Sequence, residues 1–302
     1  MLELFLKPYY WFRMLCDELH WSFVSGVVII CGVNQGMSSG LSKISTQYYM
    51  KDEQKLQPSE AQIYSGIIQL PWIVKPIWGL LTDTVPIIGY RRRPYFILAG
   101  LLGAFAMLSL SLNHKLQLAS ALLFLTGASA AQAVADVTID ACVTENSISH
   151  PSLASDMQSL CGVSSSVGQL IGFTIMVTAF CCLIFPRLLI NVIWLGVFGV
   201  LSIPAALVIL VGMILHEPFI HNAAYRQVGQ KFLDACKAMW MALKCENVWK
   251  PCLYMYISLA LSLHIHEGMF YWCTDAKGDC WDHILYGCSR LSSWSSPLPE
   301  CF

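Results

Sequence analysis

Residues Trp78–Phe96 read WGLLTDTVPIIGYRRRPYF, and their meaning turns on the long apolar runs that flank them. Three consecutive arginines, Arg91, Arg92 and Arg93, stand close to those runs on both sides. Fixed guanidinium charge does not enter a nonpolar solvent without partners, so the triplet marks a point where the chain leaves one. Composition identifies that solvent as lipid. Of the 302 residues, 56% are apolar and only 12% charged, where a soluble domain carries about 25% charged residues. With 18 basic against 19 acidic residues, bulk charge gives no case for nucleic-acid binding, and the placement of each charge becomes the informative quantity.

Crossing the hydrocarbon core takes about 20 largely apolar residues. Seven segments reach that length once polar interruptions facing a protein interior are allowed: 22–42, 62–81, 94–112, 118–139, 160–185, 188–215 and 252–272. The fold class predicted is therefore an all-α membrane protein. Counting Lys and Arg in the connections, the inner set (Lys7, Arg13, Arg91, Arg92, Arg93, Arg226, Lys231, Lys237, Lys244, Lys250) is twice the outer set (Lys43, Lys51, Lys55, Lys115, Arg187). The positive-inside bias then places the N-terminus and the arginine triplet in the cytoplasm. Residues 1–21 lack a short apolar core followed by a small-residue cleavage site and read as a cytoplasmic lead-in helix. Residues 22–215 form a six-helix bundle. In 216–251, Tyr225, Val228, Phe232, Met239, Trp240 and Leu243 recur at helical spacing among lysines, the pattern of an amphipathic linker lying on the inner membrane face. Residues 252–272 make a seventh span, and 273–302 form a polar, Cys- and Ser-containing tail that looks appended.

Polar groups inside the oil are the site candidates. Lys75, in QLPWIVKPIWG, either snorkels to the inner surface, attracts an anionic solute or pairs with an acid. Pro71 and Pro76 flank it, and each removes a backbone hydrogen bond, which either kinks the helix for packing or opens it to line a cavity. Gly32, Gly36 and Gly40 form a flat strip on the first span, with Asn34, Gln35, Ser38 and Ser39 off the strip; Gly168 and Gly172 repeat the spacing in the fifth. In ADVTIDACVTE, Asp136 and Asp140 lie one turn apart, with Glu145 beyond. Two such acids bind a cation, share a proton or are neutralised by basic partners.

Thirteen cysteines lie mostly singly within apolar runs, without CxxC pairs or His/Cys metal spacing, and read as small buried hydrophobes. An Mg²⁺-dependent membrane enzyme acting on diphosphates would need two acidic clusters facing one cavity, and only DVTID is present. The HIHE run at 264–267 is not HExxH. No enzyme chemistry, cofactor or metal is expected.

Gly79 and Asp83, followed by Gly89 and the arginine triplet, resemble the signature loop of the major facilitator superfamily. The loop departs from it in Thr84, where the family has Arg, and in the extra residues Val85 to Ile88. The longer string LPWIVKPIWGLLTDTVPIIGYRRRPY is similar to the folate–biopterin transporter family. ADVTIDACVTE, MQSLCG (157–162) and EGMFYWCTDAKG (267–278) match it in order, tying about residues 20 to 278 to that family. The resemblance implies twelve helices in two six-helix bundles, alternating access and movement of folates or pterins, often by proton symport. This chain would supply the first bundle and the first helix of the second. It is expected to be a truncated member that pairs with another half-transporter, homo-oligomerises, or does not transport and instead modulates a partner.

A planar anionic solute would call on a cation, amides and an aromatic face, and the substrate-binding candidates are Lys75, Asn34, Gln35, Gln69 and Trp72. Cations at a helix N-terminus oppose its macrodipole and need acids beside them. Gly79, Asp83, Gly89, Arg91, Arg92, Arg93, Asp136, Asp140 and Glu145 are therefore expected to form a charge cluster that latches an inner gate. The membrane, whether plasma membrane, chloroplast envelope or vacuole, is not encoded in these features.

Overall fold

The computed structural model describes residues 2–113, 116–183, 190–217, 228–262, 268 and 270–271. The tail 273–302, the HIHE run, Lys115, Arg187 and Arg226 lie outside them. The described residues are helical and carry no β-strand. In chain order the helices are α1 (Leu2–Glu18), α2 (Trp21–Glu53), α3 (Pro58–Ile68), α4 (Leu70–Ile73), α5 (Lys75–Thr84) and α6 (Arg93–Leu112). There follow α7 (Leu118–Ser149), α8 (Ala154–Leu183), α9 (Ile190–Ile214), α10 (Val228–Lys244) and α11 (Glu246–Leu261).

Among the described residues, five helical stretches are long and apolar enough to cross a membrane: Trp21–Glu53, Arg93–Leu112, Leu118–Ser149, Pro151–Thr178 and Gly196–Ile214. The protein is an all-α multi-pass membrane protein. Its outer surface accords with lipid as solvent: Ile63, Ile73, Phe105, Leu123 and Leu170 stand more than half exposed. The described helix of the expected seventh span, α11, has 16 residues.

The expected second span, 62–81, is three short helices, because Pro71 and Pro76 cannot donate to the ladder. Gln69 and Val74 make the turns between them. A carbonyl at the break is recovered by a side chain, the Trp78 indole donating to Pro71 O at 3.1 Å. Upstream, Pro58 opens α3 and the Gln57 amide donates to Glu60 Oε2 at 3.1 Å, completing a capping box.

α2 is interrupted in the other direction. It holds π-helical turns over Val28–Met37, and there its backbone meets that of α8. A Cβ on Gly168 would sit 1.9 Å from Gly32 O, and one on Gly36 2.3 Å from Ser165 O, so the two helices approach as only glycine allows. α6 meets α9 through Gly100, where an added Cβ would fall 2.8 Å from Ala205 O.

Two apolar clusters fill the ends of the bundle. One gathers Phe23, Val24, Phe96, Ile139, Met157 and Leu215, with Leu15 and Leu19 from the chain entering α2. α1 is thereby docked, and Trp11 Nε1 adds a 2.8 Å bond to Asp156 Oδ1 at the start of α8. The other gathers Leu41, Tyr48, Tyr49, Met107, Leu110, Met176 and Phe198. Phe270 packs edge-on against Tyr48 at 4.8 Å.

Candidate functional site

A polar cavity of about 460 Å³ is lined from α2, α3, α4, α6, α7 and α8. Its donors and acceptors are amides (Gln35, Gln47, Gln69, Gln132, Gln169) and hydroxyls (Ser39, Ser42, Thr46, Ser65, Ser129, Ser165), with Trp72 as its aromatic wall and Lys43 as its cation. Among the described residues, no carboxylate lines it. Such a surface suits a flat solute that offers several hydrogen-bonding edges and negative charge. The Ser129 hydroxyl is buried and makes no hydrogen bond.

Of the five substrate-binding candidates, Gln35, Gln69 and Trp72 line this cavity. Asn34 and Lys75 do not. Asn34 is buried on the other side of Gln132, beside a small void between α6, α7 and α9. Its backbone carbonyl accepts from Gln132 Nε2 at 3.4 Å. Lys75, at the first turn of α5, turns to α7. Its ammonium contacts Asp136 Oδ2 and lies 3.0 Å from Asp140 Oδ2, and it stands 5.8 Å from the centre of the Trp72 ring. Trp72 therefore borders both the cavity and a triad of one cation with two acids. Asp136 is nearly buried there, its side chain 7% exposed, and Asp140 is open at 54%.

Just beyond the triad, at the C-terminal end of α7, the arginines divide their work. Arg92 Nη2 lies 3.1 Å from Glu145 Oε2 and 3.6 Å from Asp83 Oδ1. Arg93 caps α9, donating Nε to Gly212 O at 3.1 Å and Nη2 to Met213 O at 2.6 Å, a cation where the helix dipole is negative. Glu217, just beyond α9, returns the favour. Its carboxylate accepts the backbone N–H groups of Arg91 at 2.7 Å, Arg92 at 3.1 Å and Arg93 at 3.0 Å, supplying the anion that the N-terminus of α6 demands. Tyr95 Oη adds a bond to Val85 O at 2.8 Å at the end of α5.

The expected acidic partners thus split into two groups. Asp83 and Glu145 reach Arg92, whereas Asp136 and Asp140 reach Lys75. Gly79 packs against Val137, and Gly89 turns the loop with φ of 79°. Ile88 before it has φ of 53°, so Ile87 and Tyr90 close a two-residue turn of the type that needs positive φ twice.

Sequence reading passed over Lys43, Gln132, Gln169 and Glu217. Gln132 and Gln169 carried a visible signal, an amide within an apolar run. Lys43 was set outside the first span because the span was ended at its charge. Among the described residues, no group of three or more His, Cys, Asp or Glu could hold a metal ion.

Comparison with known proteins adds a family. A family model described as "BT1 family" matches residues 35–293. "Probable folate-biopterin transporter 2" of Arabidopsis thaliana is 55% identical over 271 residues, covering 89% of this chain and 52% of the relative. "Probable folate-biopterin transporter 5" of the same plant is 50% identical over 272 residues, with 89% and 53% covered. The "Folate-biopterin transporter" of Synechocystis sp. (strain ATCC 27184 / PCC 6803 / Kazusa) is 30% identical over 243 residues, with 79% and 46% covered. The chain spans about half the length of the curated relatives it matches. No solved structure gives a significant match.

Proposed function

The chain belongs to the BT1 family, and on that premise we propose that it supplies one bundle of a secondary transporter moving folate- or pterin-like solutes by alternating access. The observation that carries the reading is the cavity of about 460 Å³: amides and hydroxyls, one aromatic wall, Lys43 and, among the described residues, no carboxylate to repel an anion. Gln35, Gln69 and Trp72 contact the solute there, joined by Lys43, Gln132 and Gln169.

The coupling ion is a proton, taken up by the triad. With Lys75 charged and both acids ionised the group carries one net negative charge, which one proton neutralises. A proton on the Asp136–Asp140 pair loosens Lys75 and, through the shared contact with Trp72, the wall of the cavity. Arg92, Asp83 and Glu145 act as a latch between the loop after α5 and the end of α7, closed in this conformation. N-terminus and latch face the cytoplasm, in keeping with the excess of basic residues on that side. α10, with Trp240 and Met241 exposed on a helix also bearing Lys237 and Lys244, lies along the same membrane surface.

The test is uptake of labelled folate and biopterin into a folate-transport-deficient cell. The cell expresses either this chain alone or this chain joined to the C-terminal half of the Arabidopsis relative. Uptake by the joined protein that is lost in Gln69→Ala and Trp72→Ala is the expected result, and uptake indifferent to both substitutions removes the cavity as the site. Silence of the chain alone beside an active joined form assigns the solitary chain to the non-transporting class. In the joined protein, Asp136→Asn should abolish gradient-driven uptake while leaving solute exchange, and loss of both would separate binding from coupling against this reading. Asp83→Asn should impair uptake with normal membrane insertion.

A further inference from the structure

A second cavity, of about 480 Å³, opens at the end of the bundle opposite the polar one. It is bounded by the entry to α2, the loop before α6, the end of α7 and the chain leaving α9, and Arg91, Arg92, His20 and His216 stand in its wall. Glu145 and Glu217 are there too, but both carboxylates are already engaged. Glu217 accepts three backbone N–H groups, and Glu145 holds Arg92 Nη2.

What is left over is donor capacity. Arg92 has both of its carboxylate partners on Nη2, and its Nη1, without a partner among the described residues, is closed off from the void. The Arg91 guanidinium has no acceptor among the described residues, its backbone N–H alone being used. His20 and His216 stack with ring centres 5.5 Å apart, and among the described residues His20 uses Nδ1 alone, which pairs with Ser22. Donors arriving from three separate chain segments around one void, Arg91, His20 and His216, describe the complement of a multi-oxygen anion. A carboxylate offers two oxygens in one plane. A phosphate offers three, spread tetrahedrally, and matches donors that converge from different sides. Because Glu217 occupies the N-terminus of α6, the anion is held by side chains and not by that helix end.

We propose that this cavity binds a phosphate group, carried either by an anionic lipid headgroup or as free phosphate, on Arg91 and the His20–His216 pair. The site lies apart from the solute cavity and stands whether or not folate is the solute.

The test uses the full chain in phosphatidylcholine nanodiscs and follows the midpoint of thermal unfolding. Potassium phosphate is compared with potassium chloride at equal ionic strength, and, separately, phosphatidylcholine discs with discs containing phosphatidylglycerol. Binding is expected to raise the midpoint by about 3 °C when the ligand is well above its Kd, and Arg91→Gln is expected to erase the shift. A shift with phosphatidylglycerol alone assigns the lipid headgroup, and a shift with phosphate alone assigns the free anion; either supports the site. Absence of a shift in both arms overturns the proposal, as does a shift undiminished in Arg91→Gln. Should Arg91→Gln fail to fold, His216→Gln decides on the same terms.

Discussion

The seam between α2 and α8 and the seam between α5 and α7 are opposite solutions to one problem, how two helices hold together in lipid. In the first, the helices are joined backbone to backbone through Gly32, Gly36, Gly168 and Gly172, with no charge at the contact. In the second, a proline-broken helix lays Gly79 against Val137 and pairs one side chain, Lys75, with Asp136 and Asp140. Lipid tails are as apolar as leucine, so neither seam is driven by hydrophobic burial. One gains dispersion from close approach, the other charge pairing. The first therefore has a single geometry, since any displacement either clashes or loses contact. The second can let go, because its strength depends on the charge of two carboxylates.

Four substitutions test that contrast, in descending order of effect. Gly168→Leu puts a side chain where Gly32 O already lies 1.9 Å from the position of a Cβ. It should cost more than about 3 kcal/mol and remove the monodisperse folded species on size-exclusion chromatography. A well-behaved Gly168→Leu protein would mean that the α2–α8 seam yields as readily as the other. Lys75→Ala strands Asp136, whose side chain is 7% exposed, beside another acid. Thermal unfolding should report a loss of about 3 kcal/mol, with much of it restored in Lys75→Ala/Asp136→Ala; no recovery in the double variant would show that Lys75 acts by packing and not by charge. Trp78→Phe removes the donor to Pro71 O and should cost about 1 kcal/mol, read from the same melts. Asp140→Asn, at a side chain 54% exposed, should change stability by no more than about 0.5 kcal/mol. A large loss there would make Asp140 and not Asp136 the main anchor.

Much of this was legible in the sequence, and the reasons differ by element. The glycine spacing in the first and fifth spans foretold a close seam because four-residue spacing keeps one face of a helix, and the α2–α8 contact lies on that strip. Among the described residues, five helices are long and apolar enough to cross a membrane where the sequence reading expects seven spans, and those five are legible because lipid imposes length and composition. Lys75 pairing with an acid was one of the readings left open, and the structure supplies Asp136 and Asp140 as the acids. Glu217 was not legible, since an anion capping a helix some 120 residues earlier in the chain is tertiary information carried by no local pattern. The cavity membership of Asn34 and Lys43 failed for a local reason. α2 runs on to Glu53, so Lys43 belongs to its interior, and the π-helical turns break the constant rotation per residue on which a helical projection of Asn34 relies.

Those π-turns give α2 a degree of freedom that a uniform α-helix lacks. A π-turn stores one residue beyond what an α-turn needs. Passing that residue along the rod would advance everything on one side of it by about 1.5 Å and rotate it by about 100°, with nearly every hydrogen bond re-formed. The stored residue lies between His20, at the arginine-lined void, and Lys43, at the amide-lined cavity, so a twist released at one mouth of the bundle would be delivered to the other.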